Sequence, residues 1–347
     1  MAEGPGRRSV APRVTPLPLS VLDLSPVPSG GSSRQALADT VSLAQEAERW
    51  GFARFWVAEH HGMPGIASSA PAVLIGAIAS ATERIRVGSG GVMLSNHAPM
   101  VVAEQFGTLE ALHPGRIDLG LGRAPGSDQA TASALRRGNN ADDFPQELLA
   151  LSSFFDGQWA DGHPWAGLRA VPALGNGPAL WLLGSSGYSA QLAGLLGLPF
   201  AFAHHFAPQG TLAAFELYRS TFRPSAVLAE PYAMVCASVV LADTDERAHE
   251  LAQPGGLAFL ALRSGRPGLL PSEQQAQDYP YTPQERAFVD ERIAQQAVGG
   301  PATVQRRLDE LVAATGVDEL MITTMVHDPA DRLRSFRLLA DLRLASV

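Results

Sequence analysis

A carboxylate and two imidazoles stand in a row at Glu59, His60 and His61, inside the stretch "RFWVAEHHGMPG". Such groups can bind a metal, move protons or position a cofactor. In an extended strand, successive side chains point to opposite faces, so Glu59 and His61 share one side and His60 takes the other. The three cannot converge on one ion, and no HxH pair or carboxylate-rich strand end elsewhere completes a metal set. Proton transfer or cofactor placement remains, beside the plainer reading that one imidazole caps backbone groups.

Three more stretches carry chemistry. In "VGSGGVML" the pair Gly90 and Gly91 weakens a strand, which a bulge that helps close a sheet would explain, as would a backbone that must approach a flat ligand. Arg123 follows "GRIDLGLG" directly; its planar fork suits a phosphate or carboxylate, and an ordinary surface ion pair is the alternative. In "LLGSSGYSAQLAGLLG", residues Gly184, Ser185, Ser186 and Gly187 turn into a helix that begins around Tyr188. Amide N–H groups, serine hydroxyls and the helix dipole there favour an anion, whereas capping alone explains one serine. With Arg123 arriving from the neighbouring strand, a phosphate cradle is the expected use. "GLGRAPG" is no dinucleotide fingerprint, since the spacing and the downstream ribose acid are missing.

Composition narrows the field. The 347 residues are 46% hydrophobic and 17% charged, enough apolar material for a large core. A formal net charge of -8 argues against a nucleic-acid surface and leaves a small molecule as the expected partner. Every basic residue is arginine. Without lysine there is no Schiff base, pyridoxal-phosphate anchor or P-loop amine. The one cysteine, Cys236, can form no internal disulfide and reads as buried strand in "YAMVCASVV". Residues 1–16 lack the apolar core of a secretory signal and read as a flexible arm. No apolar run has membrane-spanning length, so no membrane partner is expected and a cytoplasmic location is.

These residues need a frame that brings them together. From Leu19 onward, short apolar runs alternate with amphipathic segments: "LSVLDL", "ARFWVAE", "IRVGSGGVML", "RIDLGLG", "ALWLLG", "PFAFAHH", "YAMVCASVVLA" and "ELMITTMV" read as eight strands. The first helix shows a capping box at Ser32 and Gln35, a stripe of Leu37, Thr40, Val41, Ala44 and Ala47, and a stop at Gly51. Asp328 and Pro329 open the last. The spacing predicts one α/β domain over residues 17–347, a closed (β/α)8 TIM barrel with an irregular insertion or lid at 123–177, after strand four, holding one helix at about 143–155. Chemistry in such a barrel sits at the carboxyl ends of the strands.

Taken together, "WVAEHHG", "IRVGSGGVMLSNHAP", "GRIDLGLGRAPG", "LLGSSGYSAQLA" and "FAFAHHFAP", in this order, resemble the bacterial luciferase-like flavin-dependent monooxygenases. The resemblance spans Leu19 to the C-terminal helix. It implies a barrel that binds reduced FMN at its carboxyl face, with O2 adding at flavin C4a to give a hydroperoxide that oxidises a small organic substrate. By position, it makes His60 the catalytic histidine near the reactive flavin edge. It places a non-prolyl cis peptide at Gly90 and Gly91 beneath the isoalloxazine, and assigns Arg123 with Ser185, Ser186 and the following backbone to the FMN phosphate. The luminous subunit's cysteine beside this arginine is Gly122 here, so a non-luminous member is expected. With no dinucleotide fingerprint, reduced FMN is expected from a separate NAD(P)H:flavin reductase, and a homodimer is expected. A deazaflavin-dependent hydride-transfer oxidoreductase is the enzymatic alternative, and a non-catalytic flavin-binding barrel the other. The resemblance leaves His61, His97, His204 and His205 without roles.

Overall fold

Each of the eight apolar runs becomes a strand, and a ninth, unforeseen strand joins them. A computed structural model describes residues 17–124, 129–135 and 143–342; the expected arm at 1–16 and part of the 123–177 segment lie outside the described residues. The strands are β1 (Leu19–Asp23), β2 (Arg54–Val57), β3 (Arg86–Met93), β4 (Ile117–Gly122), β5 (Ala179–Gly184), β6 (Phe200–Phe202), β7 (Ala233–Leu241), β8 (Ala297–Gly299) and β9 (Glu319–Thr323). β1 to β7 pair in chain order, β7 pairs with β9, and β9 returns to β1, all parallel. The barrel is therefore closed by eight strands. β8 pairs with the far end of β7, Val239 to Leu241, beyond the part that faces β9.

The helices are α1 (Ser33–Trp50), α2 (Pro71–Ala81), α3 (Pro99–Leu112), α4 (Gln129–Leu135), α5 (Phe144–Asp156), α6 (Gly187–Leu196), α7 (Thr211–Thr221), α8 (Asp245–Arg263), α9 (Glu273–Asp278), α10 (Pro283–Ala294), α11 (Pro301–Thr315) and α12 (Pro329–Ala340). Their ends follow the local signals. Ser32 accepts from the Gln35 amide, and Gly51 closes α1 in the left-handed region at φ 85°. The Gln35 side chain turns to Asp39 at 2.9 Å, so only half of the expected capping box forms. Asp328 caps α12 as its sequence predicts. No described helix is long and apolar enough to cross a membrane.

The segment after β4 divides. Phe144, Leu148, Leu151, Phe154 and Phe155 bury α5 in the main core alongside α3, within the ring of outer helices. At the mouth, Thr131 of α4 lies so close to Gly62 that a Cβ there would sit 2.7 Å from its hydroxyl oxygen. A second excursion, between β7 and β9, builds its own apolar cluster from α8, α10 and β8, with Leu251, Leu257, Val289, Ile293 and Val298.

Inside the barrel, strand alternation sorts side chains into layers. Trp56 and Trp181 meet edge to face at 5.2 Å, with Leu22, Met234 and Met321 around them. The amino end is closed by charge: Arg54 donates to both oxygens of Glu319 at 3.0 Å and to Asp118 at 2.9 Å, and Arg86 and the Trp56 indole also reach Asp118. Asp118 and Glu319 are fully buried. With one end sealed by this network, access is left to the carboxyl ends.

Candidate active site

β2 ends at Val57, so Glu59, His60 and His61 stand just beyond it, at the mouth. Glu59 is fully buried. Its Oε1 accepts from Nε2 of His97 at 2.8 Å and of His61 at 2.9 Å, and from the Asn96 amide at 3.3 Å; Oε2 accepts the Met93 N–H at 3.0 Å. Burial pushes the carboxyl pKa up, but the hydrogen bond and charge of His97, then the bonds from His61 and Met93, outweigh it and hold the group below its ordinary value. Glu59 is thus a fixed anion that ties the tail of β2 to that of β3. His61 takes the Glu59 side, as alternation predicts, and His60 faces a different space. Sequence reasoning gave Glu59 and His97 no role; the polar "SNH" directly after the apolar third strand was the available signal.

His60 lines a cavity of about 180 Å³ together with His205, Ser238, Thr323 and Leu24 from the other strand ends and with Phe259 of α8 and Arg292 of α10. The sixth strand was expected to run through His205 but ends at Phe202, because the chain turns to satisfy other partners. Nδ1 of His204 pairs with the Thr211 hydroxyl at 2.7 Å, and the His205 N–H donates to the Cys236 carbonyl at 2.8 Å. Burial pushes the His205 pKa down to about 4; the Cys236 carbonyl opposes this, and Arg292, His204 and His60 add to it. His205 is therefore neutral at pH 7. Burial and Arg292 lower His204 as well.

The His205 shift predicts a pH dependence of stability. The unfolded imidazole takes up a proton near its ordinary 6.5, the folded one only near 4. Between those values the unfolded state binds more protons, so stability is full above the window and declines as pH falls through it. The effect is at most about 3 kcal/mol, less for the partial solvent contact of this ring. Urea midpoints at about pH 7 and about pH 4.5 should differ less in His205→Asn than in the wild type; equal differences would refute the assignment.

Gly90 and Gly91 occupy a register shift against β4, and the peptide between them is cis. The bulge reading of this pair therefore holds. Its backbone is also closely approached: a Cβ on Gly90 would sit 2.6 Å from Leu22 Cδ1, and one on Gly91 2.7 Å from the Gly120 carbonyl oxygen. No side chain fits at either position without movement of its neighbours.

At the next strand ends, Arg123 lies over the Tyr188 ring, 4.1 Å from its centroid, and makes no ion pair among the described residues. Gly184 ends β5, Ser185 follows, and Ser186 is the N-cap of α6 with extended backbone and no side-chain cap hydrogen bond. Gly187 and Tyr188 open the helix, whose first turn holds no acidic residue. A guanidinium, an uncommitted cap hydroxyl and the amides of a helix start thus meet in one place, a donor set that fits a phosphate.

A model of the luciferase-like monooxygenases matches residues 17–319. The chain belongs to this family. The luciferase-like monooxygenase of Escherichia coli K12 is 48% identical over 326 residues, covering 93% of this chain and 96% of that one. The crystal structure of apo-MsnO8 superposes with a TM-score of 0.85 at 39% identity and covers 94% of this chain and 98% of its own. The oxygenating constituent of 3,6-diketocamphane monooxygenase from Pseudomonas putida, solved in complex with FMN, shares the fold at 20% identity and a TM-score of 0.70, covering 95% and 98%. Membership makes the chain an oxidoreductase of the luciferase-like monooxygenase family.

In this luciferase-like barrel the predicted residues fall into two arcs. Gly90, Gly91, Arg123 and the run Gly184 to Tyr188 stand at the ends of β3, β4 and β5, which are neighbours in the sheet. The cavity is walled by the ends of β6, β7, β9, β1 and β2, and His60 sits where the arcs meet. Cys236 is buried, and burial pushes its thiol pKa up, which suits the structural part expected of it.

Proposed function

We propose that this protein is a flavin-dependent monooxygenase that binds reduced FMN across the β3–β5 arc and uses O2 to oxidise a small organic substrate held in the cavity beside His60. The observation that carries the reading is the convergence of Arg123, Tyr188 and the uncapped start of α6 next to the glycine pair, with an imidazole at the adjoining cavity. When bound reduced, FMN supplies the electrons that activate oxygen. The chain supplies the rest. Arg123, Ser185, Ser186 and the amides of Gly187 and Tyr188 hold the phosphate, and Gly90 and Gly91 leave room for the ring. His60 holds or moves a proton at the flavin edge, and His205, neutral beside it, adds no charge of its own to the cavity wall. Of the 123–177 segment, α4, which packs against Gly62, serves as the lid, whereas α5 belongs to the outer ring of the barrel. The same proposal places the protein in the cytoplasm, with reduced FMN delivered by a separate NAD(P)H:flavin reductase. It also pairs two copies through apolar positions such as Val73 of α2 and Leu112 of α3, which are 76% and 68% exposed.

The test is an anaerobic titration with reduced FMN followed by mixing with air. Saturable binding and a transient absorbance unlike that of free reduced or oxidised FMN are expected. Binding of the deazaflavin F420 without FMN binding would favour hydride transfer instead, and binding with no transient would leave a non-catalytic flavin barrel. Arg123→Ala should weaken FMN binding about 10- to 100-fold, the worth of losing a charge-assisted contact. Riboflavin, which lacks the phosphate, should bind both forms alike. Equal FMN affinity would remove Arg123 from the phosphate site.

A further inference from the structure

The cavity beside His60 holds a guanidinium that no carboxylate among the described residues neutralises. One terminal nitrogen of Arg292 donates to the His205 carbonyl at 2.5 Å, and its face lies 4.2 Å from the Phe259 ring centroid. Its Nε is buried without a hydrogen-bond partner, and among the described residues no carboxylate pairs with it. Burial lowers its pKa, with no nearby acid to oppose that. The chain is not short of acids, with 34 Asp and Glu against 26 arginines. By comparison, buried Arg332 is paired with Asp23, and Arg54 with Asp118 and Glu319. Arg292 is partly buried, and to the extent that water cannot reach it an uncompensated charge costs stability, so a counter-charge arriving with a ligand is the simplest resolution.

The neighbouring groups suit such a ligand. Gln296 accepts from the Ser238 hydroxyl at 3.1 Å through its side-chain oxygen, which leaves its NH2 as a further donor in the same wall. Most of the remaining lining is apolar, including Met63, Ile66, Leu262 and Met325. A second cavity, of about 340 Å³, is also lined by Arg292 and shares His205, Ser238 and Gln296 with the first. Its additional arginines are already engaged, Arg306 with Glu310 and Arg307 with the carbonyls of Ala294 and Gln296. The volume of about 180 Å³ beside His60 is below the roughly 300–1,000 Å³ of pockets for drug-sized ligands.

We propose that the substrate is a small monocarboxylic acid with an apolar body, its carboxylate held by Arg292 and its chain lying among Met63, Ile66, Leu262 and Met325. The assignment rests on the reading of this cavity as the substrate site. The whole protein, without flavin, is titrated calorimetrically with butanoate, hexanoate, octanoate and benzoate and with their methyl esters. At least one acid should bind about tenfold or more tightly than its ester, and Arg292→Gln should abolish that preference while leaving ester affinity unchanged. Arg292→Lys should keep part of it. Esters that bind as tightly as every acid, or a preference that survives in Arg292→Gln, would overturn the proposal; the wild-type comparison decides it even if the variant folds poorly. A parallel titration with reduced FMN separates the two readings. Normal FMN binding without acid preference removes only the substrate class, and acid preference without FMN binding removes only the flavin proposal.

Discussion

Replacing His60 with alanine is expected to slow substrate oxygenation about 100-fold or more, the usual worth of a positioned acid or base, with FMN affinity nearly unchanged. The split follows from position. His60 faces the cavity where the two arcs meet, whereas the proposed phosphate donors stand at β4 and β5. Its neighbours cannot take over. His205 is neutral at pH 7 and donates toward the Cys236 carbonyl, and His61 is bound to Glu59. Rapid mixing of the reduced-FMN complex with oxygen, together with a peroxide assay, gives the readout: the variant should release more hydrogen peroxide per flavin oxidised. Unchanged peroxide yield and decay would take His60 out of the chemistry.

The second large effect is expected at the opposite end of the barrel. Arg54→Met should cost about 3–5 kcal/mol of stability, because it leaves the buried Glu319 and Asp118 without a cation they share. Met retains much of the stem that packs under Trp181, where the guanidinium now lies 4.8 Å from the ring centroid, so the loss is chiefly one of charge. Arg86 still reaches Asp118, but among the described residues Glu319 keeps only the hydroxyls of Ser20 and Tyr232. Urea denaturation measures the change. A loss below about 1 kcal/mol would mean that solvent or rearrangement satisfies the carboxylates. FMN affinity of the folded fraction should be unaltered.

The frame was legible because hydrophobic period and turn chemistry agree along most of the chain. The strand positions, the Ser32 and Gly51 limits of α1, and the Asp328 cap of α12 rest on local signals that tertiary structure did not override. β8 was not legible: three residues between two helices, Ala297–Gly299, give no alternation to read, and the strand exists because β7 outruns its barrel partner. Within the site, the parity that separates His60 from His61 came from strand geometry alone. The Glu59 hub did not, since it depends on how the tail of β3 folds back over β2. Arg54, Asp118 and Glu319 were visible as charges near strand starts, but their convergence depends on closure of the barrel. Arg292 lies on a helix far along the chain, and only the cavity gives it meaning.

The split mouth has an evolutionary corollary. The phosphate-binding candidates sit on β3 to β5 and the first turn of α6, while most of the apolar lining of the cavity comes from α8, residues 267–270 and the segment after β2. Substitutions in the second group can change which compound is accepted without disturbing the first. On the proposed reading, a barrel built this way can change the compound it accepts while its flavin grip stays intact.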